Sequence, residues 1–468
     1  MQLRVIVLLV LLSAVIAAVP FASGLYIESG YQHELATLGG QSAVNVHLSN
    51  VSYQRGWRES QVRTAVALDT LEGTKQFVLV QRIEHGPGIG LQALAQVHTS
   101  VEFPEPLKAK VREVFGDQVP LSATTLVAFD GSSTTTLTSP AIDTQLPGRS
   151  GAQVELSWEG MNGTLLSTPA GAVQVQMSIG RLEAVQGATR FELTPIDVKA
   201  DMQHQGNGLW SGDSRIAMDS ISLAGDPSVG QLLIKGIVMS NQQRLDNAEV
   251  SARGMLDIDK VNVSGFEAEK LGYAVSVSHL DAAALTELNR SINALASAPP
   301  AQTQAVAEQL RPQMLALLSH QPEFAIERLH FASMVGRMNT SLMVRYHGDP
   351  QTLADQTAPA RLLNDVDVSL AVDASKDLVQ LAAQSTASNQ VMQETAHMEE
   401  PPTPEEVQQQ VALLAQQQLQ MAVAQNWLVE NADGYSTRVV LKDGHLVING
   451  QPSDQLLGIV PGATAPSP

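Results

Sequence analysis

The chain has 468 residues, a formal net charge of −19, no cysteine and an aromatic content of 4%. With no cluster of Lys and Arg, the acidic balance excludes nucleic acid as a partner, because phosphate binding needs concentrated positive charge. The absence of cysteine excludes a disulfide framework, so the fold must rest on buried apolar surface.

At the N-terminus, Val5 to Val19 carries no charged residue and the apolar character continues past Pro20 to Tyr26. A spanning helix needs about 20 mostly apolar residues, whereas a cleaved signal has a shorter apolar core and small residues at the cut. Ile16-Ala17-Ala18 and Ala22-Ser23-Gly24 both offer a cut, but the apolar run continues through Leu25, which favours a retained anchor over residues 1–26. Arg4 precedes the segment and Glu28 and Glu34 follow it, so the positive-inside rule places the short end in the cytoplasm and the body outside.

Period-two alternation, the mark of half-buried strands, dominates the region 27–270. "VNVHLSNVSY" and "QVRTAVAL" flank a break at Arg55-Gly56-Trp57 and read as two strands of a hairpin. "AQVELSWEGMNGTLLS" alternates up to Asn162-Gly163, a dipeptide that predicts a two-residue hairpin turn. "GAVQVQMSIG", "RIAMDSISLAG", "QLLIKGIVMS" and "NAEVSARGMLDIDKVNVSGFEAE" continue the pattern as an antiparallel meander with one dry and one wet face.

Helical spacing appears in the region 271–450. Leu280, Ala284, Leu288, Ile292 and Leu295 form one stripe, and Val306, Leu310, Met314, Leu317 and Leu318 form another, with Pro312 expected to kink or split it. "NTSLMVRY" and "DVDVSLAVD" return to strand, followed by a short helical run in "SKDLVQLAAQ". Thr403-Pro404-Glu405-Glu406 is a capping box with proline at the first helical position, opening a Gln-rich helix to about Asn426. That helix is expected to dock on the protein's own sheet, with self-association into a homo-oligomer as the lesser alternative. "YSTRVVLKDGHLVINGQ" forms two strands around Lys442-Asp443-Gly444, and 451–468 is expected to be a disordered tail. The fold class is therefore α+β: a mostly antiparallel meander or extended curved sheet, helices mainly in the C-terminal half, and one N-terminal transmembrane helix.

"SYQRGWRES", "IEHGPGIG" and "LKDGHLVINGQP", in that order behind an N-terminal anchor, resemble the bacterial YdgA family of envelope proteins of unknown biochemical function. Tyr53, Gly56 and Ser60, with Trp57 at the place of a common aromatic, fit the first motif; His85, Gly86 and Pro87 fit the second; Gly444, Asn449 and Gly450 stand in the third. The resemblance implies an inner-membrane anchor with a periplasmic body, and it carries over no catalytic residue.

Chemical templates are absent. There is no His-Glu-x-x-His helix or Gly-x-Ser-x-Gly turn, and "GDPSVGQL" lacks the lysine of a phosphate loop. His85 is a conceivable base, but no nearby serine or cysteine motif supplies a partner, and a side-chain hydrogen bond holding the glycine-rich turn is the simpler reading. Asp257 with Asp259 and Asp365 with Asp367 share a strand face each, as the solvated side of an amphipathic strand does. No cofactor or metal is expected. The functional expectation is a non-enzymatic envelope protein that binds or scaffolds an envelope component, a lipid or another envelope protein, through its sheet. The alternative is a periplasmic hydrolase with its site near His85.

Overall fold

The computed structural model describes residues 46–55, 59–70, 73–85, 93–105, 107–148, 151–205, 208–226, 230–297, 303–349, 363–395 and 403–459. The expected anchor lies outside them, and among the described residues no helix is long and apolar enough to cross a membrane. Among the described residues the strand pairings are antiparallel, in line with the alternation. The chain divides into two compact units, residues 1–245 with 286–309, and residues 246–285 with 310–468.

In the first unit β1 (Val46–Arg55), β2 (Glu59–Thr70), β3 (Gly73–His85) and β4 (Ala95–Glu102) pair in sequence, and Tyr53 stands opposite Val62. A helix that sequence spacing did not suggest, α1 (Leu107–Phe115), precedes β5 (Ser122–Val127) and β6 (Ser133–Ser139). The following strands are β7 (Ile142–Pro147), β8 (Gln153–Trp158), β9 (Met161–Ser167), β10 (Ala172–Ile179), β11 (Leu182–Gln186), β12 (Thr189–Leu193), β13 (Ile196–His204), β14 (Trp210–Asp226) and β15 (Gly230–Asp246).

These strands do not form a plain meander. One layer runs β5-β6-β9-β10-β13-β14-β15, while β7-β8-β11-β12 pair with one another and rejoin at the distal half of β14. Four connections turn from layer to layer on one line: Pro140, Gly160, Gly180 and Pro195 each sit between paired strand ends, Ser139 opposite Met161, Met161 opposite Ile179, and Ile179 opposite Ile196. The corner bends the sheet back over its own apolar face. Gly160 is left-handed at φ 87, and a Cβ there would lie 2.6 Å from the Ser139 carbonyl oxygen; one at Gly180 would lie 2.7 Å from that of Gly160. Trp158 Nε1 donates to Ser139 Oγ across the bend at 3.3 Å. Inside it Leu79, Leu121, Leu146, Leu156, Met161 and Ile179 are 0–4% exposed, and α1 closes the cluster with Val111, Val114 and Phe115.

The predicted turn at Asn162-Gly163 is not one. Both residues lie inside β9, and Gly163 packs under the Met177 side chain of β10. The chain reverses instead at residues 168–171, where Thr168 N donates to the Ala172 carbonyl and Gly171 N to the Thr168 carbonyl at 2.9 Å each, while the corner at Gly160 carries β8 on into β9 in the other layer.

The second unit contains β16 (Glu249–Val263), β17 (Phe266–Asp281), the start of α2 (Ala282–Ser297), the end of α3 (Thr303–Leu318), β18 (Glu323–Ser333), β19 (Arg337–Tyr346) and β20 (Val366–Ser375). α3 continues through Pro312 as one helix. α4 (Lys376–Thr395) follows, then α5 (Pro404–Ala424), β21 (Val429–Asn431), β22 (Gly434–Lys442), β23 (His445–Ile448) and β24 (Gln451–Pro452). α4 runs eleven residues beyond the short segment that its apolar pattern marks, through "STASNQVMQET". The Thr403 capping box is present: Thr403 Oγ1 accepts from Glu406 N, and Glu406 Oε2 accepts from Thr403 N at 2.8 Å. The Gln-rich α5 packs on α4, with Gln418 donating to Gln390 at 3.1 Å, and α4 in turn meets β20 and β22. Residues 451–459, assigned to the tail by composition, instead form β24 and a 310 turn.

Two glycines of the corner region give a discriminating test. Gly160→Ala forces a side chain into a left-handed position against backbone and is expected to cost about 2 kcal/mol or more, whereas Gly163→Ala meets only a flexible methionine and should cost under about 1 kcal/mol. Urea denaturation of both variants decides it, and equal costs would refute the corner as the constraint.

Candidate functional site

The first-motif and second-motif residues meet in the structure. Ser60, on β2, stands opposite Ile83, so His85 two residues further along β3 projects on the same face, and Ser60 Oγ lies 2.9 Å from His85 Nε2. The serine that sequence spacing did not offer comes from the neighbouring strand. Ser60 is 1% exposed. Tyr53 sits beside the adjoining apolar cluster of Val62, Ile83, Ala95, Val97 and Val127. Gly56, Trp57, Gly86 and Pro87 lie outside the described residues. In the third motif Asp443 and Gly444, at φ 50 and 77, form the β22–β23 turn, while Asn449, at φ 48, accepts from Arg438 N through Oδ1 at 2.7 Å and donates to the Asn426 carbonyl at 2.7 Å. Asn449 thereby ties the end of α5 to β22; Gly450, at φ 81, completes the following turn.

The interior face of the first unit carries a polar belt that alternation alone conceals. Thr64, Gln81, Thr99, Thr125 and Thr135, one from each of β2 to β6, are 0–2% exposed and separate the two apolar clusters. Thr125 and Thr135 share a hydrogen bond of 2.9 Å, but both amide atoms of Gln81 and the hydroxyl of Thr99 make none. A buried amide without a partner costs about 1–3 kcal/mol, so this belt is a site of stored instability within a well-packed core.

A second polar group gathers where β16, β17, α2 and α3 meet. Glu249 faces His279 Nδ1 at 3.0 Å and His320 Nδ1 at 3.4 Å, while His320 Nε2 lies 3.5 Å from Asp281, whose other oxygen caps α2 by accepting from Ala284 N at 2.7 Å. His279 occupies a β-bulge at φ 59, a costly conformation for a residue with a Cβ. The hydrogen bond from His279, then that from His320, holds the Glu249 carboxyl below its ordinary value of 4.5. Among the described residues no group of three or more His, Asp or Glu is placed to hold a metal ion.

The aspartate pairs belong to the polar face of the second unit. Asp257 receives Arg328 Nη2 at 2.6 Å, and Asp367 is half-buried, 3.3 Å from His347 Nε2 without hydrogen-bond alignment. Similar bridges link Arg253 with Glu327, Arg345 with Glu323 and Arg438 with Asp373.

The opposite face of this sheet is apolar along two register-matched rows. Val275, Ile326, Leu342, Leu370, Val439 and Ile448 are successive partners across β17, β18, β19, β20, β22 and β23, and Val277, Phe324, Val344, Val368, Leu441 and Leu446 form the next row. Five strand spacings make each ladder roughly 24 Å long. α4 lies against the β20–β22 end, where Tyr435 and Leu441 are buried. Toward β17 and β18 the same face is not buried, and Phe324 and Tyr273 are 44% and 38% exposed. This uncovered surface has the chemistry of an apolar binding face.

A family model described as "Bacterial protein of unknown function (DUF945)" matches residues 2–455. No curated protein and no solved structure matches the chain.

Because a carboxyl with a lowered folded-state pKa contributes stability above its unfolded value and loses it as pH falls, Glu249 should support the α2–α3 junction above about pH 4.5 and lose its effect below. Glu249→Gln is expected to reduce thermal stability at pH 6 and to converge with the native chain near pH 3; a constant difference across that range would remove the assigned cause.

Proposed function

The chain belongs to this bacterial family of unknown function, and from that premise we propose that it is an envelope protein that binds the acyl part of a lipid, or a comparably apolar envelope component, on the open face of its second unit. The observation that carries the reading is the β17–β18 end of the two ladders, which α4 leaves uncovered. Soluble monomers rarely expose contiguous apolar patches beyond a few hundred Å², and larger ones mark binding sites. The motifs shared with the YdgA family and the apolar residues 1–26 support an inner-membrane, single-pass placement with the body in the periplasm, where acyl chains are at hand. A face covered by a protein partner is the competing form of the same reading, a scaffold.

A second reading rests on the Ser60–His85 contact. A serine hydroxyl hydrogen-bonded to an imidazole is the first half of a nucleophile–base arrangement, and it favours a periplasmic hydrolase. Its weakness is access: Ser60 is 1% exposed.

Residues 27–468, purified without detergent and extracted for lipid mass spectrometry, should yield stoichiometric lipid and bind a fluorescent acyl probe. Ile326→Glu and Leu342→Glu place a charge in the ladder and are expected to weaken the probe by about tenfold or more, measured at a temperature where far-UV circular dichroism shows each variant folded. Absence of both lipid and probe binding returns the sheet to a scaffold role. For the second reading, a fluorophosphonate should label the native chain and not Ser60→Ala; an unlabelled native chain ends it.

A further inference from the structure

We propose that two hairpin tips at one end of the second unit's sheet insert into the surface of a lipid bilayer and form the entry through which acyl chains reach the ladders. This rests on the acyl-binding reading above. The β16–β17 turn is Ser264-Gly265, left-handed at both residues with φ 50 and 91, the geometry that matches the twist of the flanking strands. It holds Val263 and Phe266 as register partners, 40% and 54% exposed. The β18–β19 turn is Met334-Val335, closed by backbone hydrogen bonds between Ser333 and Gly336 at 2.7 and 3.1 Å, and Ser333 Oγ also accepts from Val335 N at 3.2 Å. Met334 is 78% exposed. Ala268 pairs with Ser333, so the two tips lie side by side.

Turn centres favour Gly, Asn, Asp and Ser, whose conformational freedom and side-chain hydrogen bonds the turn uses. Here the backbone hydrogen bonds already close the second turn, and nothing in its geometry calls for methionine. Val263, Phe266 and Met334 thus put large apolar side chains on rigid tips, and β17 and β18, the strands entering those tips, carry Tyr273 and Phe324, the most open part of the apolar face. Between the tips and Tyr273 β17 carries Leu271 and β18 carries Leu329 and Phe331, all partly exposed, and Phe324 stands at the far end of β18. The surrounding charges are of both signs: Lys260 is paired with Glu267, Arg337 with Asp433 at 3.2 Å, and Lys270 and Glu269 stand between them. With no basic excess and a chain charge of −19, the surface that fits is zwitterionic, entered by apolar area rather than by charge attraction.

The native chain has no cysteine, so single cysteines report cleanly. The full-length chain is reconstituted in zwitterionic phosphatidylcholine vesicles with an environment-sensitive fluorophore at Phe266→Cys, at Met334→Cys, or at Met421→Cys on the exposed face of α5 as a reference. Lipids brominated on the acyl chain should quench the first two and spare the third, with little dependence on salt. Quenching no stronger at the tips than at Met421 overturns the proposal and leaves the tips to a protein partner. A second measurement uses Phe266→Asp with Met334→Asp, substitutions outside any core: uptake of a fluorescent fatty acid from vesicles should fall by about tenfold or more, while uptake of the same probe delivered as monomer is unchanged. Equal uptake from vesicles by variant and native chains also overturns it. Failure of monomer uptake in the native chain itself is a failure of the ladder reading, separate from the tips.

Discussion

A half-buried strand must hide one face, and the two units meet that demand differently because only one of them bends. In the first, Pro140, Gly160, Gly180 and Pro195 break four bonded strands on a single line, and the sheet closes over Leu79, Leu146, Leu156 and Met161 until they are 0–4% exposed. No disulfide is available to do this work, and the closed cluster also holds Phe77, Phe103, Phe115 and Trp158 at 3–7% exposure. In the second unit β16 to β20 are ten to sixteen residues long with the same alternation, but no shared break, and its apolar rows stay half-buried wherever α4 does not reach. Closure beside the corner and openness away from it are one constraint; in the first unit itself the register partners Ile216 and Met239 of β14 and β15 are 40% and 49% exposed.

The strength of the second sheet does not come from its charges. The bridges of Arg253, Arg328, Arg345 and Arg438 lie on a solvated face, where an exposed pair contributes about 0–1 kcal/mol. What they do is fix register: Arg345–Glu323 and Arg438–Asp373 link neighbouring strands, Arg253–Glu327 and Arg328–Asp257 reach across β17 from β16 to β18, and a slip by one residue would move every apolar side chain to the wet side. The ladders supply the rest, since cross-strand apolar pairs are the unit of sheet stabilisation. An acyl chain laid on such a face finds side chains already held in place, which keeps the ordering cost of binding low.

Much of the architecture was legible because it depends on local periodicity. The alternation of "DVDVSLAVD", the Asp443-Gly444 turn and the Thr403 capping box all appear where their residues place them, since each is decided within a few positions. The corner was not legible. Its four breaks lie between residues 140 and 195 and mean something only once the strands are paired, while Asn162-Gly163 offers a stronger local signal that tertiary pairing overrides. α1 has three buried apolar residues in nine and too little length for a periodic signal. The Ser60–His85 contact spans 25 residues of sequence and arises from β2–β3 register alone, and the belt through Gln81 is a row across strands, invisible along any one of them.

The two candidate regions also differ in what they ask of the protein. Chemistry at Ser60 requires a substrate carbonyl to reach a hydroxyl on the inner face of a closed sheet, beside clusters packed to a few per cent exposure, so the first unit would have to open. Binding at the ladders requires no movement, because the face is already presented and its register is already set. A closed core adjoining unpaired polar atoms at Gln81 and Thr99 is a place where opening would be cheapest, and that is the physical route by which the hydrolase reading survives. The acyl-binding reading needs no such step, and it draws on an apolar face that self-packing leaves open at Tyr273 and Phe324.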